Sequence, residues 1–281
     1  MTIDAHVHFW RYEPAEYAWI DDALAPLARD FLPEDLAPLA AAAGTSGVVA
    51  VQACQSLADT GFLLDLADRH PLVRGVVGWI DLQADDVAAQ AARFHARALV
   101  GVRHVVQDEP DDAFLLRPAF VRGIAALEDL GLAYDLLIRP RQLPAAVELA
   151  GRFPRQRFVL DHLAKPDIAR DGLAAWEPEL RQLADRPNVL AKLSGLVTEA
   201  DWAAWTPETL RPYLDVAWDA FGPERLMIGS DWPVCTVAGE YGRVVGAVVS
   251  YVRDRPPAET AAVLGDNAAR FWNLTTEEHE P

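Results

Sequence analysis

The chain contains 281 residues, of which 51% are hydrophobic, so it can bury one large core or two ordinary ones. Its 42 acidic and 25 basic side chains give a formal net charge of −17. This charge argues against a phosphate backbone or an anionic membrane as a partner. We therefore expect no nucleic-acid or membrane partner.

The cysteines and the first residues bear on the compartment. Cys54 and Cys235 form neither a CxxC pair nor a disulfide framework, which is typical of a reducing environment. No basic and apolar leader stands before His6, and no apolar run approaches the roughly 20 residues that span a bilayer. These observations predict a cytoplasmic protein.

Eight short apolar runs alternate with helical patterns along the chain. Each run is rich in aliphatic or β-branched residues and is bounded by turn residues, which predicts a buried strand. The runs lie at 2–9, 46–53, 73–81, 99–106, 132–138, 157–163, 189–196 and 225–231.

Three of the intervening segments carry clear helical signals. In 118–131, apolar residues recur at steps of three and four, and Gly131 can end the helix. The segment 142–154 has a proline in its first turn and a glycine near its end. The segment 207–222 is also helical, with Pro212 expected near its start or at a kink.

This alternating order leaves two architectures, a doubly wound sheet or a closed (β/α)8 barrel. Eight strands in 281 residues fit the barrel, which typically needs about 250 residues. Neither GxGxxG nor GxxxxGK[ST] follows a strand, which counts against a nucleotide-binding sheet. We predict the α/β class, with a single (β/α)8 TIM-barrel domain over residues 1–281.

Polar side chains gather at the carboxyl ends of the predicted strands, where barrel enzymes carry their chemistry. His6 and His8 lie two positions apart on the first strand, so both project to the same side. His162 lies near the end of the sixth strand, and Asp231 closes the eighth. A lone histidine on an apolar strand is more often structural. Three histidines and a carboxylate at one end of a barrel indicate a catalytic or metal-binding site.

Strands four and seven add further polar residues. Arg103 and His104 must face opposite sides of strand four. Arg103 either binds substrate or forms a salt bridge inside the barrel, for example with Asp135. Lys192 shares its side of strand seven with Ser194, and it either reaches the substrate or pairs with a carboxylate. The histidines expected to be structural are His70, His95 and His279.

The chain resembles the amidohydrolase superfamily in an ordered series of motifs: DAHVHFW, GVRHVVQDEPD, VLDHLAKPDI, KLSGL and RLMIGSDWPV. It is most similar to the lactonase branch, which includes sugar lactonases and 2-pyrone-4,6-dicarboxylate lactonase. The resemblance covers nearly the whole chain. It implies an enzyme that opens a sugar lactone, such as L-fucono- or L-rhamnonolactone, to the aldonic acid.

Two departures from binuclear amidohydrolases bear on the metal content. The bridging lysine of strand four and the histidine of strand five are missing from LVGVRHVV and LAYDLLI, so we expect no two-metal site. His6, His8, His162 and Asp231 still suit one zinc or manganese ion. The resemblance also implies catalysis without a required metal. The sequence thus leaves two states open, no cofactor or one divalent ion.

The resemblance implies roles for the candidate residues. Asp231 would be the general base on water. The three histidines would polarise the lactone carbonyl, directly or through a bound ion. Two tryptophans would offer flat walls to a sugar ring. The expected substrate contacts are Arg103, Trp10, Lys192, Trp232 and Gln52.

Two other functions stay open. One is a mononuclear metal-dependent decarboxylase or hydrolase on the same scaffold. The other is a sugar-binding barrel without catalysis, against which the intact histidine and aspartate set argues. The strand ends offer mainly Arg103 as a cation, besides Lys192, Lys165 and Arg139, so a neutral sugar lactone fits better than a dicarboxylated pyrone. The ring size and the oligomeric state, including a homodimer, are left open.

Overall fold

The computed structural model describes residues 1–94 and 97–274. Its strands form one eight-stranded parallel sheet in which each strand pairs with the next in chain order. Val7 pairs with Trp232 across the remaining seam, which closes the barrel. The predicted (β/α)8 fold is therefore confirmed. The strands are β1 (Thr2–Val7), β2 (Thr45–Val51), β3 (Val73–Gly78), β4 (Leu99–His104), β5 (Ala133–Leu136), β6 (Phe158–Leu160), β7 (Val189–Leu193) and β8 (Leu226–Ile228).

Helices connect successive strands. They are α1 (Pro33–Ala42), α2 (Leu57–Ala67), α3 (Val87–Ala92), α4 (Pro118–Leu130), α5 (Leu143–Arg152), α6 (Leu173–Ala184), α7 (Pro207–Phe221), α8 (Tyr241–Val252), α9 (Pro257–Ala261) and α10 (Asn267–Trp272). The three helices predicted from the sequence are α4, α5 and α7. Gly131 follows α4 with a φ of 68°, the left-handed conformation that glycine adopts at least cost. Pro212 lies inside α7, which continues through it.

Each predicted run overlaps one strand, but several strands end earlier than their runs. β6 ends at Leu160 and β8 at Ile228, three residues before the predicted ends in both cases. His162 and Asp231 therefore lie in the connecting segments that follow these strands. The backbone of these segments is no longer extended, so it can turn the side chains of His162 and Asp231 toward the end of β1.

Apolar packing supports the barrel on both sides of the sheet. The larger cluster lies between sheet and helices and includes Leu136, Leu160 and Ile228. A smaller one joins Val159 and Met227 to the side chains of α10. Among the described residues, no helix combines the length and the apolar character that a bilayer crossing requires. The predictions for His95 and His279 concern residues outside the described ranges.

Candidate active site

Four predicted residues meet at the carboxyl ends of β1, β6 and β8. His6 Nε2 lies 3.2 Å from His8 Nε2, and Asp231 Oδ1 lies 3.3 Å from His8 Nε2. The Nε2 atoms of His6 and His162 are each 3.8 Å from the same carboxylate oxygen. All four residues are buried, with at most 5% of their surface exposed. We call His6, His8, His162 and Asp231 the His–Asp cluster.

A sharp backbone turn after β6 brings His162 into this cluster. Residues 162–165 all have φ between 51° and 60°, a left-handed conformation that costs roughly 1–2 kcal/mol per non-glycine residue. Ser194 holds the imidazole, with its Oγ 2.9 Å from His162 Nδ1. Gly195 leaves the necessary room, because a Cβ there would collide with the His162 ring. A strained turn braced by the end of β7 thus fixes this histidine.

The seam between β8 and β1 places Asp231. This residue is also left-handed, with a φ of 62°. Its backbone N–H donates to the His6 carbonyl at 2.9 Å, and the His8 N–H donates to the Trp232 carbonyl at 2.6 Å. The buried Asp4 carboxylate accepts the backbone N–H groups of His6 at 3.1 Å and of Ser230 at 2.9 Å. Backbone bonds across the seam therefore set the distance from the carboxylate to two histidines.

The neighbours of His6 and His8 assign their tautomers. His8 Nδ1 lies 2.8 Å from the Val51 carbonyl, which only accepts, so this nitrogen carries the proton. The Arg103 guanidinium only donates, and its Nη1 lies 3.2 Å from His6 Nε2. His6 Nδ1 lies 3.3 Å from Asp161 Oδ1, an acceptor, and 3.2 Å from Lys192 Nζ, a donor. Because the Lys192 ammonium already contacts the carboxylates of Asp135 and Asp161, we place the His6 proton on Nδ1, toward Asp161. Both Nε2 atoms consequently present lone pairs to the His–Asp cluster.

This electron-rich arrangement fits a divalent cation. The lone pairs of His6 and His8 face the Asp231 carboxylate with no donor of the cluster between them. A tetrahedral ion bound at about 2.0–2.2 Å has ligand atoms roughly 3.3–3.5 Å apart. The separations of 3.2 and 3.3 Å from His8 Nε2 are close to this range, and the 3.8 Å from His6 Nε2 to Asp231 Oδ1 is slightly longer. Two possible ligand groups occur among the described residues, His6–His8–Asp231 and His6–Asp161–His162.

Burial and neighbouring charges set the protonation of the cluster. Burial lowers the pKa of His162 to about 4, against the charges of Asp231 and Asp161, and lowers the pKa of His6 well below its usual value. Burial raises the pKa of Asp231, but His162, His8 and His6 outweigh it and hold this pKa below its usual range. At neutral pH, two uncharged imidazoles therefore face an ionised carboxylate. These protonation states suit both base catalysis and metal binding.

A second group of buried charges lies on the Nδ1 side of His6. Lys192 Nζ is 2.5 Å from Asp135 Oδ2 and 2.9 Å from Asp161 Oδ1, and Arg103 Nη1 is 3.1 Å from Asp161 Oδ2. The four residues are at most 4% exposed. We call Arg103, Asp135, Asp161 and Lys192 the ion-pair cluster. The suggested partnership of Arg103 with Asp135 is wrong, because Asp161 takes Arg103 and Asp135 takes Lys192.

The two carboxylates of the ion-pair cluster differ in protonation. Burial raises the pKa of Asp135 to about 7 in spite of the nearby Lys192 ammonium. Burial also raises the pKa of Asp161, but Lys192, His6 and Arg103 outweigh it and hold the pKa well below its usual range. Asp161 is therefore the carboxylate that stays charged, in contact with a histidine and two cations.

Asp161 is the residue that the sequence analysis missed. Strand alternation predicts that it faces away from its neighbour His162. Since β6 ends at Leu160, both residues lie beyond the strand and alternation no longer applies. Both side chains reach His6, whose ring centroid is 4.4 Å from that of His162. The available signal was chemical, a carboxylate next to a candidate histidine in VLDHL.

The remaining polar candidates occupy distinct places. The backbone carbonyl of Gln52 accepts from Arg103 Nη2 at 2.5 Å, so Gln52 borders the site at the end of β2. Lys192 is fully buried, and the ion-pair cluster occupies its ammonium. His104 lies on the other side of β4, as the alternation predicts, with its Nε2 2.8 Å from Glu109 Oε1.

Trp10 and Trp232 are both buried beside the seam. The Trp10 indole N–H donates to the Arg29 carbonyl at 2.8 Å. Both rings pack edge to face against Phe31, each with a centroid distance of 5.3 Å. These contacts stabilise the segment after β1. A wall for the sugar ring stays a prediction for both.

Fold and site together define a class of protein. It is a (β/α)8 barrel with an HxH pair at β1, a histidine after β6 and an aspartate after β8, the arrangement of a hydrolase centre. A family model described as amidohydrolase matches residues 3–274. The chain belongs to the amidohydrolase family, which confirms the resemblance found in its motifs.

Relatives within this family include two L-fucono-1,5-lactonases. That of Burkholderia multivorans is 44% identical and aligns over 98% of this chain and 96% of its own. That of Burkholderia ambifaria is 42% identical over 97% of this chain and 95% of its own. Crystal structures of a Burkholderia multivorans amidohydrolase with bound HEPES and with bound zinc are 44% and 43% identical, with TM-scores of 0.94 and 0.95. Each covers 98% of this chain and 100% of its own.

Proposed function

We propose that the protein hydrolyses L-fucono-1,5-lactone or a closely related aldonolactone to the open-chain sugar acid. The observation that carries this proposal is the convergence of three imidazoles on one ionised, buried carboxylate. A sugar-binding protein has no need of such a group. The 44% identity to an L-fucono-1,5-lactonase supports the choice of substrate.

Asp231 is the proposed general base. Its carboxylate takes a proton from water, and the resulting hydroxide adds to the lactone carbonyl carbon. The tetrahedral intermediate collapses by breaking its bond to the ring oxygen, which takes the proton held by Asp231 and leaves as a hydroxyl group. The new carboxylic acid then loses its proton to solvent. A lactone is reactive enough for a carboxylate of low pKa to act as this base.

The negative charge that develops on the carbonyl oxygen needs a positive or hydrogen-bond-donating neighbour. His6 and His8 direct lone pairs into the site, so in their neutral states they offer no N–H there. His6, His8 and Asp231, with His162 Nε2 3.8 Å from the same Asp231 oxygen, would hold one divalent ion such as zinc or manganese, which would supply a Lewis acid at the carbonyl. Arg103 adds a fixed positive charge 3.2 Å from His6 Nε2.

The other candidates take supporting roles in this proposal. Arg103 and Gln52 border the His–Asp cluster and are assigned to the oxygen atoms of the lactone. Trp10 and Trp232 are assigned to the apolar face of the sugar. Lys192 acts through His6 and Asp161, because two carboxylates already occupy its ammonium.

A pH-indicator assay with a panel of aldonolactones tests this proposal. The protein is assayed as purified, after chelation, and after chelation with zinc restored. Acid release from L-fucono-1,5-lactone above the spontaneous rate is the expected result. Failure to release acid from any lactone under all three conditions overturns it. A difference between the chelated and the restored protein decides whether the ion is needed for turnover.

A further inference from the structure

A cavity of about 320 Å³ opens at the same end of the barrel as the His–Asp cluster. Segments that follow β5, β6 and β7 form its walls. A local excess of positive charge is unusual on a chain with a net charge of −17. The charged side chains that line the cavity are four cations and two anions: Arg139, Arg141, Lys165, Arg170, Asp167 and Glu199.

Two of these cations are committed to the protein itself. Arg141 pairs with Asp112 and donates to two carbonyl groups of the segment after β4, so it fastens that segment. Arg170 pairs with Asp167 at 3.3 Å. We therefore assign neither of these two arginines to ligand binding.

Arg139 and Lys165 differ from this pair. Within residues 1–94 and 97–274, neither side chain donates a hydrogen bond, and Arg139 forms no ion pair. Lys165 forms an ion pair with Glu199, with 3.7 Å between Nζ and Oε1, which is too long for a hydrogen bond, and Arg139 is exposed. The backbone of Arg139 is fixed, since its N–H donates to Gln142 Oε1 at 2.9 Å. Two cationic donors are thus held on ordered backbone at one cavity with their hydrogen bonds unused.

Lys165 links the cavity to the His–Asp cluster. It ends the left-handed turn that carries His162, and its charge contributes to lowering the pKa of that imidazole. Hydrolysis converts a neutral lactone into an anion beside the Asp231 carboxylate, where like charges repel. A cationic cavity on the same rim attracts that anion.

We propose that the cavity is a carboxylate subsite of the active centre, in which Arg139 and Lys165 bind the carboxylate of a sugar acid; this rests on the proposed lactone hydrolysis. The carboxylate has two possible sources. One is the aldonate product, and the other is a lactone that already carries a carboxylate, such as a lactone of an aldaric acid. The second source extends the substrate range beyond the neutral lactones that the sequence favours.

Calorimetric binding of L-fuconate to the full chain tests the subsite without any need for turnover. Arg139→Gln and Lys165→Gln are each expected to weaken binding about fivefold, and added salt should weaken it further. Arg253→Gln is the matched control, because this exposed arginine follows α8 at the opposite end of the barrel. Equal affinity in all three variants and the unsubstituted protein overturns the product as the ligand, and together with an unchanged KM for D-glucaro-1,4-lactone it overturns the proposal.

Kinetics separate the two sources of the carboxylate. If the product is the ligand, the two variants raise the inhibition constant of L-fuconate and leave KM for the neutral lactone unchanged. If a carboxylated lactone is the ligand, they raise KM for D-glucaro-1,4-lactone about fivefold relative to the neutral lactone. Binding of L-fuconate through Arg139 and Lys165 without any lactonase activity defeats only the proposed function. If the protein is a lactonase but the Arg139→Gln and Lys165→Gln variants bind the acid and turn over the lactones as Arg253→Gln does, only the subsite proposal fails.

Discussion

Two clusters of buried polar side chains meet at His6, and they are built on opposite principles. In the ion-pair cluster, both cations contact a carboxylate within 3.1 Å. In the His–Asp cluster, unprotonated nitrogens face an ionised carboxylate, and the groups that would complete their bonding are not supplied by the cluster. Residue type alone does not separate the two, since each contains a buried aspartate at a strand end.

The difference indicates that the ion-pair cluster contributes to stability and the His–Asp cluster to catalysis. Opposite charges in the ion-pair cluster compensate each other, so the removal of one leaves the others exposed to a desolvation cost. In the His–Asp cluster, His8 Nε2 and the Asp231 carboxylate face each other without a cation between them, so they can bind water, substrate or an ion. Asp161 joins the two, because it contacts His6 on one side and Lys192 and Arg103 on the other.

The largest effect is expected at Asp231. Asp231→Asn should lower kcat for the lactone about 100- to 10,000-fold, the range for the loss of a general base. The variant should still fold, because the asparagine keeps the shape of the side chain, although it loses the attraction between the three histidines and the carboxylate. Steady-state kinetics and urea unfolding of the same preparation check both points. A variant with near-normal kcat would remove Asp231 as the base.

The ion-pair cluster should show the reverse balance. Lys192→Met leaves the buried Asp135 without its cation and Asp161 with Arg103 alone, and it should cost about 3–5 kcal/mol in the free energy of unfolding. The double variant Lys192→Met/Asp135→Leu should regain part of this stability, since it removes the stranded charge as well. Chemical denaturation measures all three proteins. Equal stability of the single variant and the unsubstituted protein would mean that these charges are not coupled.

This contrast also marks how far the sequence predicts the site. The four members of the His–Asp cluster were predicted because they obey a rule of position, polar residues at the carboxyl ends of parallel strands. His6 and His8 lie on or next to a strand, where alternation holds. The rule does not extend to the partners within the ion-pair cluster. Which carboxylate meets Arg103 depends on the stagger of neighbouring strands, which no local pattern encodes.

The roles of Asp161 and of the cationic cavity could not be predicted from the sequence, for a related reason. Asp161 lies just past the end of a strand that the sequence made three residues too long, and left-handed backbone begins at the next residue, so strand alternation no longer relates its side chain to that of His162. Arg139 and Lys165 were noted singly as cations near strand ends. Their convergence on one cavity depends on the paths of separate loops after β5 and β6, and loop paths follow from packing rather than from local sequence.

Stability should depend on pH through Asp135. Its carboxyl faces Lys192, Asp161 and Arg103, and its pKa is raised from 3.8 to about 7. Between these values the folded protein holds a proton that the unfolded chain releases, so the free energy of unfolding falls as pH rises from about 4 to about 7. This contribution amounts to at most about 4 kcal/mol.

Asp135→Asn removes that titration. The difference in stability between the unsubstituted protein and this variant should therefore shrink as pH rises through the same window. Urea unfolding at several pH values measures it, with Asp85→Asn as the control because the Asp85 side chain is 98% exposed. A slope common to all three proteins would assign the pH dependence to other groups.

The smallest expected effect is the stabilisation of the folded protein by zinc, which should depend on the His–Asp cluster alone. An ion that binds only the folded protein at 100 times its Kd stabilises it by about 2.7 kcal/mol, so zinc restored after chelation should raise Tm by several degrees. His8→Gln removes one ligand of the His–Asp cluster and should abolish most of this rise. His104→Gln is the matched control, because that imidazole pairs with Glu109 on the other side of β4. An equal rise in both variants would place the ion elsewhere, and the His–Asp cluster would then bind water and substrate alone.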